Sequence, residues 1–478
     1  MKLIFRFIYV LLLAVLAEPI YAQTIPTIIN NAPNQEAFWS VTVRDDEGNI
    51  LESLNSDKVI IPASNQKLIT TAAILDHFGA EFRYETNIYG EGALSGDEWN
   101  GNLIIKGSGD PSISGDLYDD DRYHVFNVFL EQLQDRGINR VDGNLIADVS
   151  LFDEQIYPKG WDWYDMSFYY GVQISPLSFN NNAVDLEVIA DGEIGDIPRI
   201  TWFPDSTDYV EFINEQVITN PNIDYDEYYR RDFGENRIVL GSTLPQAYYE
   251  DESLSINDPP MFFLDSFKKF LIKNGIEVDG FLVVSSENQQ TESMQVLATH
   301  SSKPMSELIK WANKESDNFY TEMMTKKLSA DLGEQPGSFE HGIKQVRGFL
   351  YGMGIDTTYV QMNDGSGMAG GNFNKTSYIS DVLVKMKDHP DFDAYFSSMS
   401  VAGIDGTLQH RMKGTPLYNN FKGKSGFVTG VRTLSGYLET VSGKQLIVSI
   451  ATNNYISEKV RPIDAVHEQI LMHLYNKY

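Results

Sequence analysis

Hydrophobic and polar positions alternate through Trp39, Val41 and Val43, the polar run Asp45-Asp46-Glu47-Gly48-Asn49 follows, and Ile50 to Leu54 returns. This pattern predicts a β-hairpin. It leads into Ile-Pro-Ala-Ser64-Asn-Gln-Lys67-Leu-Ile-Thr-Thr-Ala-Ala-Ile-Leu, whose composition predicts a helix starting near Ser64. Near the other end the same two-residue period predicts strands over Thr433 to Thr440 and Gln445 to Thr452, joined by a turn at Val441-Ser442-Gly443-Lys444. A final helix from about Pro462 carries Ile463, Val466, Ile470, Leu471 and Leu474 on one face. In an acidic chain that face is expected to pack on a core rather than lie on a membrane. The two ends should therefore form one sheet covered by helices.

Between about Tyr84 and Ser302 the texture shifts to short strands, turns and aromatics, including Trp161-Asp-Trp163 and the acidic, tyrosine-rich stretch Asn222 to Arg231. Within this candidate insertion a unit recurs. A helix ending at Gly137-Ile138 precedes Val141-Asp142-Gly143-Asn144-Leu145-Ile146, and Gly275-Ile276 precedes Val278-Asp279-Gly280-Phe281-Leu282-Val283. Helix, glycine cap, turn and strand is a common packing unit, so the recurrence reads as structural.

A chain of 478 residues is long enough for two to four domains, and 42% hydrophobic with 12% aromatic residues can build real cores. Residues 1–22 carry Lys2 and Arg6, then the apolar run Phe7 to Ala17, then a polar break, which predicts a secretory signal cut near Gln23. No other stretch approaches the length of a membrane span. Cysteine is absent, so disulfides and a thiol nucleophile are excluded. With 67 acidic against 37 basic residues the formal charge is −30, which disfavours nucleic acid and anionic membranes as partners. The eight histidines show no metal-ligand spacing, so no metal site is expected.

Ser64 and Lys67 form an S-x-x-K element. A serine and a lysine three residues apart at a helix start share a face, so the amine can take the hydroxyl proton while the helix N-terminus favours developing negative charge. The spacing alone recurs by chance, as a serine near a helix N-cap followed by a solvated lysine. Two downstream triplets change its meaning: Ser316-Asp317-Asn318 between two predicted helices, and Lys424-Ser425-Gly426 on a predicted strand running into Phe427. In the order S-x-x-K, S-x-N, K-[ST]-G they match the signature of penicillin-binding proteins and serine β-lactamases. Lys67 must be neutral to act as a base, and bringing a lysine near neutrality requires roughly 4 to 5 kcal/mol of differential interaction. A second cation about 4 Å away would supply about 4 kcal/mol at an effective dielectric near 20, with Lys424 the expected one, and burial would add to it. Ser316 can relay a proton, and Asn318 can hold Lys67 and a substrate amide together. Lys424 and the Ser425 hydroxyl suit a terminal carboxylate. The N–H groups of Ser64 and Phe427 suit an oxyanion hole.

The mature chain resembles the class C low-molecular-mass penicillin-binding proteins, D-alanyl-D-alanine carboxypeptidases and endopeptidases of the penicillin-binding protein 4 type. The resemblance rests on Pro62-Ala-Ser-Asn-Gln-Lys-Leu68, Ile105-Lys-Gly-Ser-Gly-Asp-Pro111, Gly160-Trp-Asp-Trp-Tyr-Asp165, Ser316-Asp-Asn-Phe-Tyr-Thr-Glu322, Asp364-Gly-Ser-Gly367, Gly403-Ile-Asp-Gly-Thr407, Gly423-Lys-Ser-Gly426 and Gly430-Val-Arg-Thr-Leu-Ser-Gly-Tyr437. It implies an α+β fold. A transpeptidase-like domain over residues 23–84 and 303–478, an antiparallel sheet covered by helices, would be interrupted by a β-rich insertion over 85–302 holding two domains, one nested in the other. It also implies an exported, periplasmic serine peptidase without cofactor, which cleaves peptidoglycan stem peptides through an acyl-Ser64 and is inhibited covalently by β-lactams. The catalytic set would be Ser64, Lys67, Ser316, Asn318 and Lys424. Ser425, Gly426 and Phe427 would bind substrate, and Asp165 and Tyr170 would lie near the pocket for the diaminopimelate side chain. For Asp165 a solvated loop carboxylate is the competing reading.

Three positions depart from the family pattern. Met368-Ala-Gly370-Gly371-Asn372 stands where an arginine usually grips the diaminopimelate carboxylate. Ser425 stands where threonine is commoner, and Phe427 replaces a small hydroxyl residue. A peptidoglycan-binding scaffold without turnover is the alternative of a different class, opposed by the intact catalytic set. A β-lactamase or esterase is the other, opposed by the long insertion and the lack of an obvious deacylating glutamate.

Overall fold

The computed structural model describes residues 24–478 apart from 205–206, 334 and 457–459, so the expected signal at 1–22 lies outside the described residues. The chain divides into two compact units. One comprises residues up to Asn65 with Asn374–Lys385 and Met399–Tyr478, and the other Gln66–Phe373 with Met386–Ser398.

The first unit is built on a six-stranded antiparallel sheet in the order Ser400–Val401, Phe421–Val428, Val431–Glu439, Gln445–Asn453, Phe38–Arg44, Ile50–Leu54. The two chain ends meet in its middle, where Phe38–Arg44 pairs with Gln445–Asn453 from Phe38↔Asn453 to Arg44↔Ile447. One face is covered by the helices Ile25–Asn30 and Val460–Lys477, whose Ile28, Ile463, Ile470 and Leu474 pack with Trp39, Val41, Val43, Leu434 and Ile450. The alternation marked that face. The intervening positions are not solvated either. Ser40 and Thr42 are fully buried and meet the Thr376 hydroxyl at 2.7 and 2.9 Å, while Arg44 pairs with Asp381 at 2.8 Å. The helix Thr376–Met386 thus covers the second face, and short hydroxyls are used there because each can be satisfied by another.

The second unit holds the helices Gln66–Phe78, Met305–Lys314, Asn318–Asp331 and Phe339–Gly352 together with the β-rich segment. That segment opens and closes as one strand pair, Glu85–Ser95 against Gln295–Ser301, with Tyr84 and Ser302 hydrogen-bonded where it begins and ends. These strands belong to a seven-stranded sheet. The recurring unit becomes two neighbours in it: Leu145–Asp148 and Leu282–Ser285 pair in parallel, and so do Arg140–Asp142 and Glu277–Val278. Between these pieces in sequence come three small sheets formed from strands between Ala183 and Ser255. The core is continuous and rich in phenylalanine, with Phe126, Phe129, Phe179, Phe262, Phe263 and Phe267 fully buried.

Candidate active site

In the first unit Ser64 lies on a tight turn, the 3-10 helix Ala63–Asn65, directly before the residue that opens the helix Gln66–Phe78. Ala63 holds a left-handed φ of 46°, a conformation costly for a residue with a Cβ and typical of nucleophile-bearing turns. Three contacts brace it. The Thr433 hydroxyl donates to the Pro62 carbonyl at 2.9 Å, and the Asn65 amide reaches the Lys424 carbonyl at 2.8 Å and the Thr433 hydroxyl at 3.1 Å. The Asn65 oxygen in turn accepts from the Ser435 N–H at 3.2 Å.

Lys424, Ser425, Gly426 and Phe427 lie on the strand Phe421–Val428. Gly426 is required by space: a Cβ there would come within 2.2 Å of Thr433 Oγ1 and 2.9 Å of the Ser64 nitrogen. Its absence leaves the Ser64 N–H approachable. Val428 and Val431 flank a two-residue turn and so exchange hydrogen bonds, which leaves Phe427 in the alternate kind of pair with its N–H directed away from the neighbouring strand. The Ser64 and Phe427 donors are those an oxyanion hole needs. The Phe427 ring is half exposed, with the Arg432 guanidinium 5.7 Å from its centroid. Lys424 is fully buried and its Nζ donates to the Ser425 carbonyl at 2.8 Å. The Ser425 hydroxyl donates to Thr407 Oγ1 at 2.8 Å, so Thr407, within the Gly403-Ile-Asp-Gly-Thr407 stretch, aims a side chain that sequence reasoning had not linked to it.

In the second unit Lys67 is fully buried, and its Nζ donates to Asn318 Oδ1 at 2.6 Å and to the Ser366 carbonyl at 3.0 Å. Burial pushes its pKa down to about 8, while Asp364, Asp317 and Glu322 pull it up. Desolvation is the largest cause of that lowering, and the three carboxylates work in the other direction.

Asn318 begins the helix that Asp317 caps by accepting from the Tyr320 N–H at 2.9 Å. Ser316 sits on the connection before it with φ 64°, also in the left-handed region. Asn318 Nδ2 donates to the Tyr170 carbonyl at 3.0 Å and lies 3.2 Å from Met368 Sδ. Tyr170 therefore meets the Ser316-Asp317-Asn318 triplet through its main chain. Its hydroxyl hydrogen-bonds the half-buried Asp165, whose carboxyl is raised by burial and by Asp162.

The Asp165 loop is tied by hydrogen bonds at Met166 and Ser167. Buried Arg231 spends its guanidinium on the Met166 carbonyl, the Tyr157 and Ser255 hydroxyls and the carbonyls of Asp232 and Glu235. A side chain so occupied does not stand in for the arginine missing after Gly367. Of the two glycines there, Gly371 is closely packed, since a Cβ on it would meet the Asn363 amide at 2.3 Å, while one on Gly370 would meet nothing within 4 Å.

The Ser366 carbonyl that accepts from Lys67 carried no sequence signal, because a main-chain acceptor is independent of residue type. Asn65 could have been noticed as a polar residue between a nucleophile and an apolar helix.

A serine hydroxyl on a left-handed turn beside a glycine of a strand, and elsewhere a buried lysine of lowered pKa held by a helix-borne asparagine, are parts of the kind that serine acyl-transfer enzymes of the transpeptidase-like α+β class use. Residues 21–471 match the D-Ala-D-Ala carboxypeptidase 3 (S13) family, and the chain belongs to it. It is a serine-type carboxypeptidase of the class C low-molecular-mass penicillin-binding kind. The chain is 28% identical to a D-alanyl-D-alanine carboxypeptidase of Actinomadura sp. over 91% of its length and 81% of that protein's. It is 25% identical to the D-alanyl-D-alanine carboxypeptidase DacB of Haemophilus influenzae, over 86% and 84%. The fold matches penicillin binding protein 4 of Haemophilus influenzae with a TM-score of 0.83, covering 95% of this chain and 100% of that one at 23% identity.

Proposed function

We propose that this protein hydrolyses the D-Ala-D-Ala bond of peptidoglycan stem peptides, the D-Ala-diaminopimelate crosslink between them, or both, through an acyl-enzyme on Ser64. The observation that carries the reading is the buried Lys67 amine, its pKa brought down to about 8, hydrogen-bonded to Asn318 at 2.6 Å. At neutral pH a useful fraction of such an amine is unprotonated, which an exposed lysine does not offer. Neutral Lys67 takes the Ser64 proton as Oγ attacks the penultimate D-alanine carbonyl. The Ser64 and Phe427 N–H groups hold the oxyanion. Ser316 passes the proton from Lys67 to the departing amine, free D-alanine or the far side of a crosslink leaves, and water releases the peptide. Lys424 and Ser425 bind the terminal carboxylate, while Asp165 and Tyr170 face the side chain of the third peptide residue.

This reading joins the residues into one reaction on the order of the three motifs along the chain and on family membership. It takes 85–302 as the insertion, the protein as exported to the periplasm, and β-lactams as covalent inhibitors. Among the described residues no helix is long and apolar enough to cross a membrane. The test is a labelled penicillin with Ser64→Ala as control: the intact protein forms a covalent adduct and the variant none. No adduct on the intact protein sinks the reading. Masses of products from purified muropeptides then separate loss of one D-alanine from splitting of crosslinked dimers.

A further inference from the structure

Asn318 and Glu322 lie four residues apart on the same helix and so share a face. Asn318 touches Lys67 directly. Glu322, fully buried, accepts the N–H groups of Gly365 and Ser366 at 2.9 and 2.7 Å on Oε1, with Oε2 3.2 Å from the Gly365 nitrogen. The carbonyl of that same Ser366 is the second acceptor for Lys67 Nζ. Asp364, also fully buried, closes the other side of the turn by accepting from the N–H groups of Gly367 and Ala369, from Asn372 Nδ2 and from Trp161 Nε1 at 2.6 to 2.9 Å. Gly365 permits this close seating, since a Cβ there would lie 2.3 Å from Thr325 Oγ1 of the same helix.

We propose that Glu322 is a positioning residue for Lys67: it grips the Asp364–Gly367 turn so that the Ser366 carbonyl stays fixed opposite Asn318, and its charge biases the lysine's proton affinity. A turn of glycines and serine has little stiffness of its own, and a buried carboxylate accepting two N–H groups supplies it. The electrostatics bear on the same point. The carboxylates that act on Lys67 include Asp364, Asp317 and Glu322. Glu322 is itself pushed up to about 8, by burial first and then by Asp364, so it ionises through the range in which Lys67 loses its proton. Glu322 and Lys67 then titrate in one range, and ionising Glu322 makes Lys67 a harder group to deprotonate.

The inference rests on the Ser64 acyl-enzyme reading, whose own failure shows as an absent adduct on the unaltered protein. Acylation by labelled penicillin is followed across roughly pH 6 to 10 for the wild type, Glu322→Ala and Glu322→Gln. Glu322→Ala lowers the acylation rate about tenfold or more, because a small misplacement of a catalytic group is costly. Glu322→Gln keeps an acceptor oxygen, recovers most of that rate, and moves the midpoint of the acid limb downward by about half a pH unit, since the charge that holds the proton on Lys67 is gone. The Lys67 titration, followed by NMR of isotope-labelled lysine in the unreacted proteins, shifts in the same direction and does not depend on turnover. Wild-type rate and limb in Glu322→Ala overturn the proposal, as does a Glu322→Gln no better than Glu322→Ala. If Glu322→Ala fails to fold, an unmoved or raised Lys67 titration in Glu322→Gln overturns it alone.

Discussion

The turn and strand around Ser64 and the pocket around Lys67 are made of different materials. The first is an arrangement of main chain: a strained turn, a glycine whose missing Cβ leaves the Ser64 nitrogen approachable, a strand whose register sends the Phe427 N–H outward, and neutral side chains from Asn65, Thr433 and Ser435 as braces. The second is an arrangement of buried ionisable groups, one lysine among Asp317, Glu322 and Asp364, held by hydrogen bonds from a helix and a turn. Backbone donors are always present and do not titrate. Their failure is steric. Buried charges are tunable, and their failure comes with pH or with the loss of a partner.

The largest effect that separates the two is Lys67→Met, which removes the base and is expected to cut acylation by about 10² to 10⁴-fold at any pH. A variant with unchanged rates would show that the Ser64 region acts without it. In the wild type the rate falls about tenfold per pH unit below the Lys67 value of about 8, because the protonated amine cannot accept. A flat profile from pH 6 to 9 would place the base elsewhere. Gly426→Ala is the steric counterpart. Its methyl meets Thr433 Oγ1 and approaches the Ser64 nitrogen, so acylation drops by about a hundredfold while the pH midpoint stays put, with about 1 to 3 kcal/mol of stability lost by thermal melting. A moved midpoint would mean that the two regions are not separable in this way.

Smaller effects sharpen the contrast. Asp165→Ala should weaken hydrolysis of diaminopimelate-containing peptides more than that of a bare D-Ala-D-Ala mimic, read as kcat/KM on each. Equal losses would remove Asp165 from recognition. Away from the candidate site, Asp110 is fully buried and pushed up to about 6 from 3.8 by desolvation. Its folded value lies above its unfolded one, so its contribution is complete below about pH 4 and is lost as pH rises through 6, roughly 2 to 3 kcal/mol at most. Asp110→Asn should therefore stabilise the protein at pH 8 relative to pH 5. Melting curves that shift equally at both values would contradict this.

Much of the frame was legible beforehand, because it rests on periodicity. The hairpin at Trp39–Leu54, the two C-terminal strands and the helix face Ile463–Leu474 follow from apolar spacing and lie where that spacing puts them. Ser40, Thr42 and Arg44 did not read as interior, since polar residues alternating with apolar ones signal a solvated face. Only the helix Thr376–Met386, more than 330 positions away in sequence, turns them inward.

The candidate residues divide along the same line. Ser64, Lys67, Ser316, Asn318 and Lys424 were recognisable because each needs a particular side chain at a particular spacing, and chemistry leaves few substitutes. That burial would help to lower the Lys67 pKa was expected, but which groups bury it was not legible, because they are assembled from the helix Asn318–Asp331 and the Asp364–Gly367 turn, distant in sequence from Lys67. The sequence by itself determined the candidate motifs and the strands of the first unit's sheet, because side-chain identity and two-residue spacing are local properties. Tertiary structure decided burial, and with it the proton affinity of Lys67, the inward turn of the polar face of the hairpin, and the close packing of Gly371, because each of these depends on atoms brought together only when the chain folds.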